Sequence, residues 1–371
     1  MLRSIDRVYM REALALADRG RCTTWPNPRV GALVVSGGRV VGRGFHRRAG
    51  ESHAEIHALQ AAGGFARGAT LYVTLEPCSS HGRTGPCTEA VLAAGVRRVV
   101  MALVDPDPRH QGRAVAMLRD HGVEVDVGCM EPEARAMNAP FLMRVERGRP
   151  LITAKQGMSA DARVAYSREA PGWFTGPEAR RDTHRLRGEH PLIITGIGTV
   201  LADDPVLTVR DSPLIGHAPV RLVIDSHARL PLDARILASD PLGGPVFVGC
   251  LERAPLERVE ALQERGVTVI RSPENGQGRV DLADLSDQLG RHWTFNAAWL
   301  ECGPALMGAF LDAHLIDGWV AYLAPCLVGG AVALPALLGQ GASGGECAPK
   351  LTRVRWLPMG RDLRLTADVL Y

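Results

Sequence analysis

One constraint dominates how this chain can fold. His53, Cys78 and Cys87 are metal-ligand residue types, Glu55 stands beside the first, and the three lie on separate segments. His53 opens a helical stretch, residues 53–62, that Gly63-Gly64 closes. Cys78 follows a strand at 71–75 and Pro77, and Cys87 opens a second helix, 87–94, closed by Gly95. A single ion can meet all three only where two helix starts and a strand end converge. Helices layered on a sheet achieve this, and the flanking pattern agrees. A helix is expected from Ser4 as N-cap to Arg19, with Ile5, Val8, Ala13, Leu16 and Ala17 as its apolar face. A hairpin follows, strands 30–35 and 39–45 about Ser36-Gly37-Gly38. Strands at 96–104 and 123–127 then enclose a helix at 112–120.

The chemistry of the set points to hydrolysis. Zinc favours imidazole and thiolate, and a catalytic zinc keeps its fourth position for water. The metal brings the pKa of that water near neutral, and a nearby carboxylate can carry protons. His53-Ala54-Glu55 with Pro77-Cys78 matches the known signature of zinc deaminases. The match departs in spacing, because eight residues rather than two separate Cys78 from Cys87. That insert, residues 79–86, is polar and can fold over a substrate. Two blander readings compete. One is a pair of buried thiols with a helix-capping His; the other is a structural zinc with His57, one turn beyond His53, as fourth ligand. Neither gives Glu55 a role.

The second half also alternates, with strands near 151–154, 192–195, 221–225, 246–250, 267–271, 298–301 and 319–323, and helices that include 177–187 and 304–313. A charged helical stretch, 131–149, ends at Gly148-Arg149-Pro150, where the domain boundary is placed: 1–149 and 150–371. A length of 371 residues suits two such domains. Eight scattered cysteines do not form a disulfide framework, which fits a reducing cytoplasm. The N-terminus lacks a signal-peptide core, and Pro325 and Gly329-Gly330 break the apolar run 319–334, so no membrane span is expected. A net charge of +3 and 5% aromatic residues argue against a nucleic-acid groove.

With these residues in view, the chain resembles the bifunctional deaminase-reductases of bacterial riboflavin biosynthesis, the RibD family. In the first half the resemblance rests on residues 23–31 (TTWPNPRVG), Gly44-Phe45-His46, Ala49-Gly50, His53-Ala54-Glu55, residues 72–78 (YVTLEPC), Gly82-Arg83-Thr84, Cys87 and Asp105-Pro106. The long insert between the cysteines is itself characteristic of the family. In the second half it rests on Arg180-Arg181-Asp182, Leu186-Arg187, residues 198–205 (GTVLADDP), residues 207–210 (LTVR), residues 223–226 (VIDS) and Glu301-Cys302-Gly303-Pro304.

The resemblance implies an α/β fold: a cytidine-deaminase-like zinc domain followed by a dihydrofolate-reductase-like domain that uses NADPH. It implies deamination of 2,5-diamino-6-ribosylamino-4(3H)-pyrimidinone 5′-phosphate, then reduction of the ribosyl group to ribityl. Position by position, Asn27, His46 and Arg83 would contact the deaminase substrate. Arg187 and Arg210 would meet the substrate phosphate in the reductase, with Leu207 beside it and Glu301 near the ribose. Thr199, Asp203 and Ser226 would line the NADPH side, as would Gly157 and Trp173. Gly303, Pro304, Ala305, Leu306, Met307, Gly308 and Ala309 open a helix whose N–H groups suit the pyrophosphate. Lys155 also matches a family position. A small phosphorylated pyrimidine is thus the expected partner, without nucleic acid or membrane, and a homo-oligomer is expected. The chain departs from the family pattern at Ser80, where His is usual, and at Gly85-Pro86, where Pro-Pro is usual. It also departs at Ala162 in place of Gly and at Pro171 in place of Ser. An alternative reading is a paralogue whose reductase-like half only binds ligand or supports oligomerisation.

Overall fold

The computed structural model describes residues 2–80, 85–170, 172–210, 218–238 and 243–371. The chain divides into two compact units, Met1–Gly148 and Arg149–Tyr371. The first holds α1 (Asp6–Ala17), β1 (Gly31–Ser36), β2 (Arg39–Phe45), α2 (Ala54–Ala62), β3 (Thr70–Val73), α3 (Cys87–Ala93), β4 (Arg98–Met101), α4 (Arg113–Asp120), β5 (Glu124–Val127), α5 (Glu131–Met137) and α6 (Ala139–Arg147). Its sheet runs β2-β1-β3-β4-β5. The β1–β2 hairpin and the β1–β3 pair are antiparallel, and β3, β4 and β5 are parallel. One apolar cluster joins α2 to the sheet through Ala54, Ala58 and Ala62 against Val34, Leu71 and Val73. Close approach demands glycine on β2: a Cβ at Gly42 would meet the Ala58 carbonyl oxygen at 2.1 Å, and one at Gly44 the Ala54 carbonyl oxygen at 2.1 Å.

Helix α1 corrects the sequence expectation. Its buried stripe is Asp6, Met10, Ala13, Leu14 and Ala17, whereas Ile5 and Val8 are 46% and 53% exposed. The stripe is rotated because it includes a carboxylate. Asp6 accepts hydrogen bonds from Arg98 Nη1 at 2.9 Å and Nη2 at 2.8 Å, from the Tyr72 hydroxyl at 2.7 Å and from the Arg3 N–H at 2.6 Å. Burial alone would raise this carboxyl, but those four donors and the Arg98 charge outweigh it and hold Asp6 at about 2. The helix begins without a side-chain cap, so Ser4 does not act as one. The stretch 131–149 is two helices, with Asn138 between them. The Asn138 amide accepts from the Arg29 N–H at 2.8 Å and donates to the Arg29 carbonyl at 2.9 Å.

The second unit holds β6 (Leu151–Ser159), β7 (Arg163–Ala165), α7 (Pro177–Gly188), β8 (Leu192–Gly196), α8 (Ile197–Asp203), β9 (Val220–Ile224), β10 (Val246–Leu251), α9 (Leu256–Glu264), β11 (Thr268–Ser272), α10 (Leu282–Arg291), β12 (Ala297–Leu300), α11 (Pro304–Asp312), β13 (Gly318–Ala324), β14 (Leu334–Pro335), β15 (Lys350–Met359) and β16 (Asp362–Leu370). Nine strands form one sheet in the order β11-β10-β9-β8-β12-β6-β13-β16-β15. All neighbours from β11 to β13 are parallel, and β16 and β15 close the edge antiparallel. Apolar clusters cover both faces, as parallel strands require. From β8 the chain builds outward to β11, then returns to place β12 on the other side of β8. The crevice beyond the carboxyl ends of β8 and β12 is therefore a topological switch point, where open α/β sheets bind ligands.

Candidate active sites

In the first unit, His53 is the residue before α2 and keeps extended backbone angles. Cys78 follows the buried segment Thr74–Pro77 beyond β3, and Cys87 begins α3. The three side chains converge. His53 Nδ1 lies 3.3 Å from Cys87 Sγ and 3.5 Å from Cys78 Sγ. With zinc–nitrogen and zinc–sulfur bonds of about 2.0 and 2.3 Å, donors on one tetrahedral ion sit roughly 3.5 Å apart. Among the described residues this is the one cluster of metal-ligating groups, and it has three members. His57 is not among them; its Cβ faces β2 opposite Gly44, which removes the four-ligand structural reading.

The carboxylate is placed for chemistry rather than ligation. Glu55 is 3% exposed, and its Oε2 is buried without a hydrogen-bond partner. A buried orphan oxygen beside a three-ligand set is what a site built for metal and water would contain. Burial pushes the Glu55 carboxyl above its ordinary value, against the opposing pull of His53. That direction suits a group that must both take and give a proton near neutral pH. Of the two thiols, Cys78 is held low, since the Cys87 thiol, His53 and the Cys87 N–H at 3.2 Å all donate to it.

The residues flanking the set form a polar chain. The Asn27 amide donates to His46 Nε2 at 3.1 Å, and His46 Nδ1 donates to the Ser52 carbonyl at 3.3 Å. The His46 ring packs edge-on against His53 with centroids 5.4 Å apart. Burial lowers the His46 pKa, which keeps the ring neutral and Nε2 able to accept. Arg83 lies outside the described residues.

In the second unit, Glu301 stands at the carboxyl end of β12, at the switch point. Its Oε2 accepts from Arg187 Nη2 at 2.9 Å and from the Trp299 indole N–H at 3.1 Å, and Lys155 Nζ on β6 lies 3.3 Å from Oε1. Burial acts to raise this carboxyl, but the Arg187 and Lys155 charges dominate and hold it below the carboxylate range. Arg187 has its donors committed: Nε and Nη2 to Glu301, and Nη1 to the Thr208 carbonyl at 2.7 Å. Arg210 is exposed; its N–H donates to His184 Nδ1 at 3.2 Å, and its Nη1 reaches Thr208 Oγ1 at 3.4 Å. Leu207, buried beside this loop, has φ +56°, a strained angle for a branched side chain.

Thr199 on α8 accepts the Gly303 N–H at 3.1 Å and so ties the starts of α8 and α11 together across the switch point. Pro304 has no N–H, and Met307 donates back to the Gly303 carbonyl at 3.1 Å. Ala305 and Leu306 thus carry the first-turn donors. Met307 is fully buried, and Gly308 sits where a Cβ would strike the Leu338 carbonyl, so neither offers a side chain to a ligand. Asp203 is exposed at the end of α8, and partial burial raises its carboxyl. Ser226 follows β9 and accepts the Val280 N–H at 3.2 Å. Gly157 lies within β6, and Trp173 is 76% exposed. Ala162 occupies the turn after β6 at φ +58°. Pro171 lies outside the described residues. Sequence reasoning missed Trp299 and Thr208. Trp299 lies on β12 and Glu301 one residue past its end, two positions apart, and the period-2 spacing agrees with their side chains meeting.

The comparisons with known proteins match this layout. Residues 150–365 match the RibD C-terminal domain, and residues 3–103 match the cytidine and deoxycytidylate deaminase zinc-binding region. The riboflavin biosynthesis protein RibD of Escherichia coli K12 is 44% identical over 87% of this chain and 89% of its own length. The chain belongs to the RibD family. The RibD protein of Aquifex aeolicus is 40% identical over 89% of each chain. The solved RibD structure from Acinetobacter baumannii has a TM-score of 0.88 at 35% identity and covers 99% of both chains. The Thermotoga maritima structure, titled a diaminohydroxyphosphoribosylaminopyrimidine deaminase and 5-amino-6-(5-phosphoribosylamino)uracil reductase, has a TM-score of 0.81 at 28% identity over 98% of this chain. The chain is a bifunctional deaminase-reductase of riboflavin biosynthesis, with a zinc-binding deaminase domain and an NADPH-dependent reductase domain. The match runs through both units, and the binding-only paralogue is not favoured. Among the described residues, no helix is long and apolar enough to cross a membrane.

Proposed function

We propose that the first unit deaminates 2,5-diamino-6-ribosylamino-4(3H)-pyrimidinone 5′-phosphate at the His53, Cys78, Cys87 and Glu55 site, and that the second reduces the ribosyl group of the product. The observation that carries the first half is the buried, unpartnered Oε2 of Glu55 beside three converging ligand atoms. His53, Cys78 and Cys87 would hold the zinc. A zinc bound there acidifies water and so supplies a nucleophile near neutral pH. Glu55 carries the proton of the attacking water to the ring nitrogen and then a second proton, from the new hydroxyl, to the amine that leaves as ammonia. Asn27 and His46 meet the ring edge, and Arg83 the phosphate.

For the reductase, NADPH supplies the hydride. Thr199, Asp203, Ser226, Gly157 and Trp173 form the cofactor side, and the Gly303–Ala309 segment takes the pyrophosphate through Ala305 and Leu306 N–H. Glu301, ionised and fixed by Arg187, Lys155 and Trp299, faces the ribose. Because Arg187 is committed to Glu301 and Thr208, the phosphate falls chiefly to Arg210, with Leu207 alongside. A homo-oligomer forms through β15, an edge strand with Leu351, Val354, Trp356 and Leu357 exposed. The eight free cysteines fit a cytoplasmic setting. Glu55→Gln tests the central assignment. It should retain one zinc per chain while deamination falls about 10²–10⁴-fold; normal turnover would remove Glu55 from the mechanism.

A further inference from the structure

We propose that Glu76 is the positioning residue for the metal ligand Cys78, acting through the backbone of the β4–α4 connection and the first turn of α4; this rests on the zinc reading above. Glu76 stands two residues before Cys78, is 4% exposed, and belongs neither to the ligand set nor to any proposed substrate contact. Its carboxylate accepts three backbone N–H groups: Asp105 at 3.1 Å and Gly112 at 2.9 Å on Oε2, and Ala114 at 2.9 Å on Oε1.

The topology explains why a side chain is needed here. The backbone of β3 ends its regular pairing at Val73. Beyond it, the Thr74 N–H donates to the Gly31 carbonyl at 3.1 Å and the Glu76 N–H to the Leu103 carbonyl at 2.8 Å. Pro77 then has no N–H to give. From the other direction Cys78 is held by α3, through the Thr88 N–H to its carbonyl at 3.2 Å and the Cys87 N–H to its sulfur. On the β3 side, one backbone bond holds Glu76 to the strand-β4 segment, and its side chain adds three more to the connection that follows β4.

The partner it chooses is rigid. Helix α4 starts after Gly112, which has φ +81° and no side chain to cap the helix. Glu76 supplies the missing acceptor, and its charge sits at the positive end of the helix. One carboxylate thus satisfies a helix start, a loop N–H after β4 and, two residues along the main chain, helps fix the position of a thiolate ligand. An amide cannot do this. Gln presents an NH₂ to at least one N–H donor, which repels it and leaves that donor buried and unpaired.

The test is zinc affinity by chelator competition on full-length wild-type, Glu76→Gln and Asp6→Asn, with cobalt-substituted spectra of each. Asp6→Asn weakens the same unit at a buried network of Arg3, Tyr72 and Arg98 that hydrogen-bonds neither Glu76 nor Cys78. Affinity should fall about 10–100-fold in Glu76→Gln, as for supporting partners of metal ligands, with altered thiolate–cobalt bands. Asp6→Asn should lower the melting temperature and leave affinity within twofold. If Glu76→Gln does not fold, Glu76→Asp carries the test, since it keeps the charge and shortens the reach. The proposal is overturned by wild-type affinity and spectrum in the Glu76 variant, or by an equal loss in Asp6→Asn. Wild-type protein without zinc would instead refute the metal reading itself.

Discussion

Arg187→Met separates two roles for one residue. In the free protein, Arg187 is 8% exposed at its side chain, and it neutralises Glu301, whose side chain is 21% exposed. Removing one member of a buried pair costs about 3–5 kcal/mol, because the other charge stays desolvated. Lys155 and the Trp299 indole remain on Glu301, and a fifth of that side chain is open to water, so about 2–3 kcal/mol is expected. For a unit of this size that is a fall of about 4–12 °C in its melting transition. Calorimetry of the full chain reads it, with the reductase transition assigned by its shift on adding NADPH. The double variant Arg187→Met/Glu301→Gln should recover most of the loss, since the stranded charge is gone. The pH dependence has a fixed sign. The folded pKa of Glu301 lies below its ordinary value of 4.5, so the pair's contribution is fully present above 4.5 and is lost as pH falls through the folded value. The gap between wild type and Arg187→Met should be flat from pH 6 to 8 and narrow below 4.5. A single variant within about 0.5 kcal/mol of wild type, or no recovery in the double, would refute this reasoning and return Arg187 to the substrate phosphate.

Three further outcomes follow from single residues. Ala162→Gly should stabilise the reductase unit by about 0.5–1 kcal/mol, or about 2 °C, because Ala162 is exposed and pays for a left-handed backbone that glycine adopts freely; thermal unfolding checks it. Asp6→Asn should destabilise the first unit toward the low end of about 3–5 kcal/mol at pH 7. Since Asp6 titrates at about 2 when folded, that difference should persist down to pH 4 and shrink below it, as urea unfolding at each pH will read. Cys78→Ala and Cys87→Ala should each lose both zinc and deamination, measured as metal content and ammonia release.

How much was legible in the sequence depended on whether a residue's partners were local. The clustering of His53, Cys78 and Cys87 was readable because helix starts and Pro-Cys after a strand are local signals, and three such signals needed only one fold to unite them. Glu76 was quoted as part of the stretch 72–78, yet its three N–H partners lie on segments that only the β3–β4 crossover brings close. Asp6 was hidden for the same reason, and the apolar face of α1 was misplaced by counting only apolar residues. The C-terminal hairpin β15–β16 went unread although Gly360, with φ +63°, marks its turn and Leu363, Leu365 and Ala367 alternate. In the reductase, that Arg187 pairs with Glu301 requires knowing that α7 and the end of β12 meet.

The central claim is that both units of this chain are catalytic, each at its own residues. The direct measurement follows ammonia and NADPH together when wild-type protein receives the diaminopyrimidinone phosphate, with Glu55→Gln in parallel. Wild type should release one ammonia and oxidise one NADPH per substrate consumed. Glu55→Gln should do neither with that substrate, yet oxidise NADPH when given the deaminated intermediate. Ammonia release by wild type with no NADPH oxidised, from either substrate, would contradict the account and leave the second unit a binding domain.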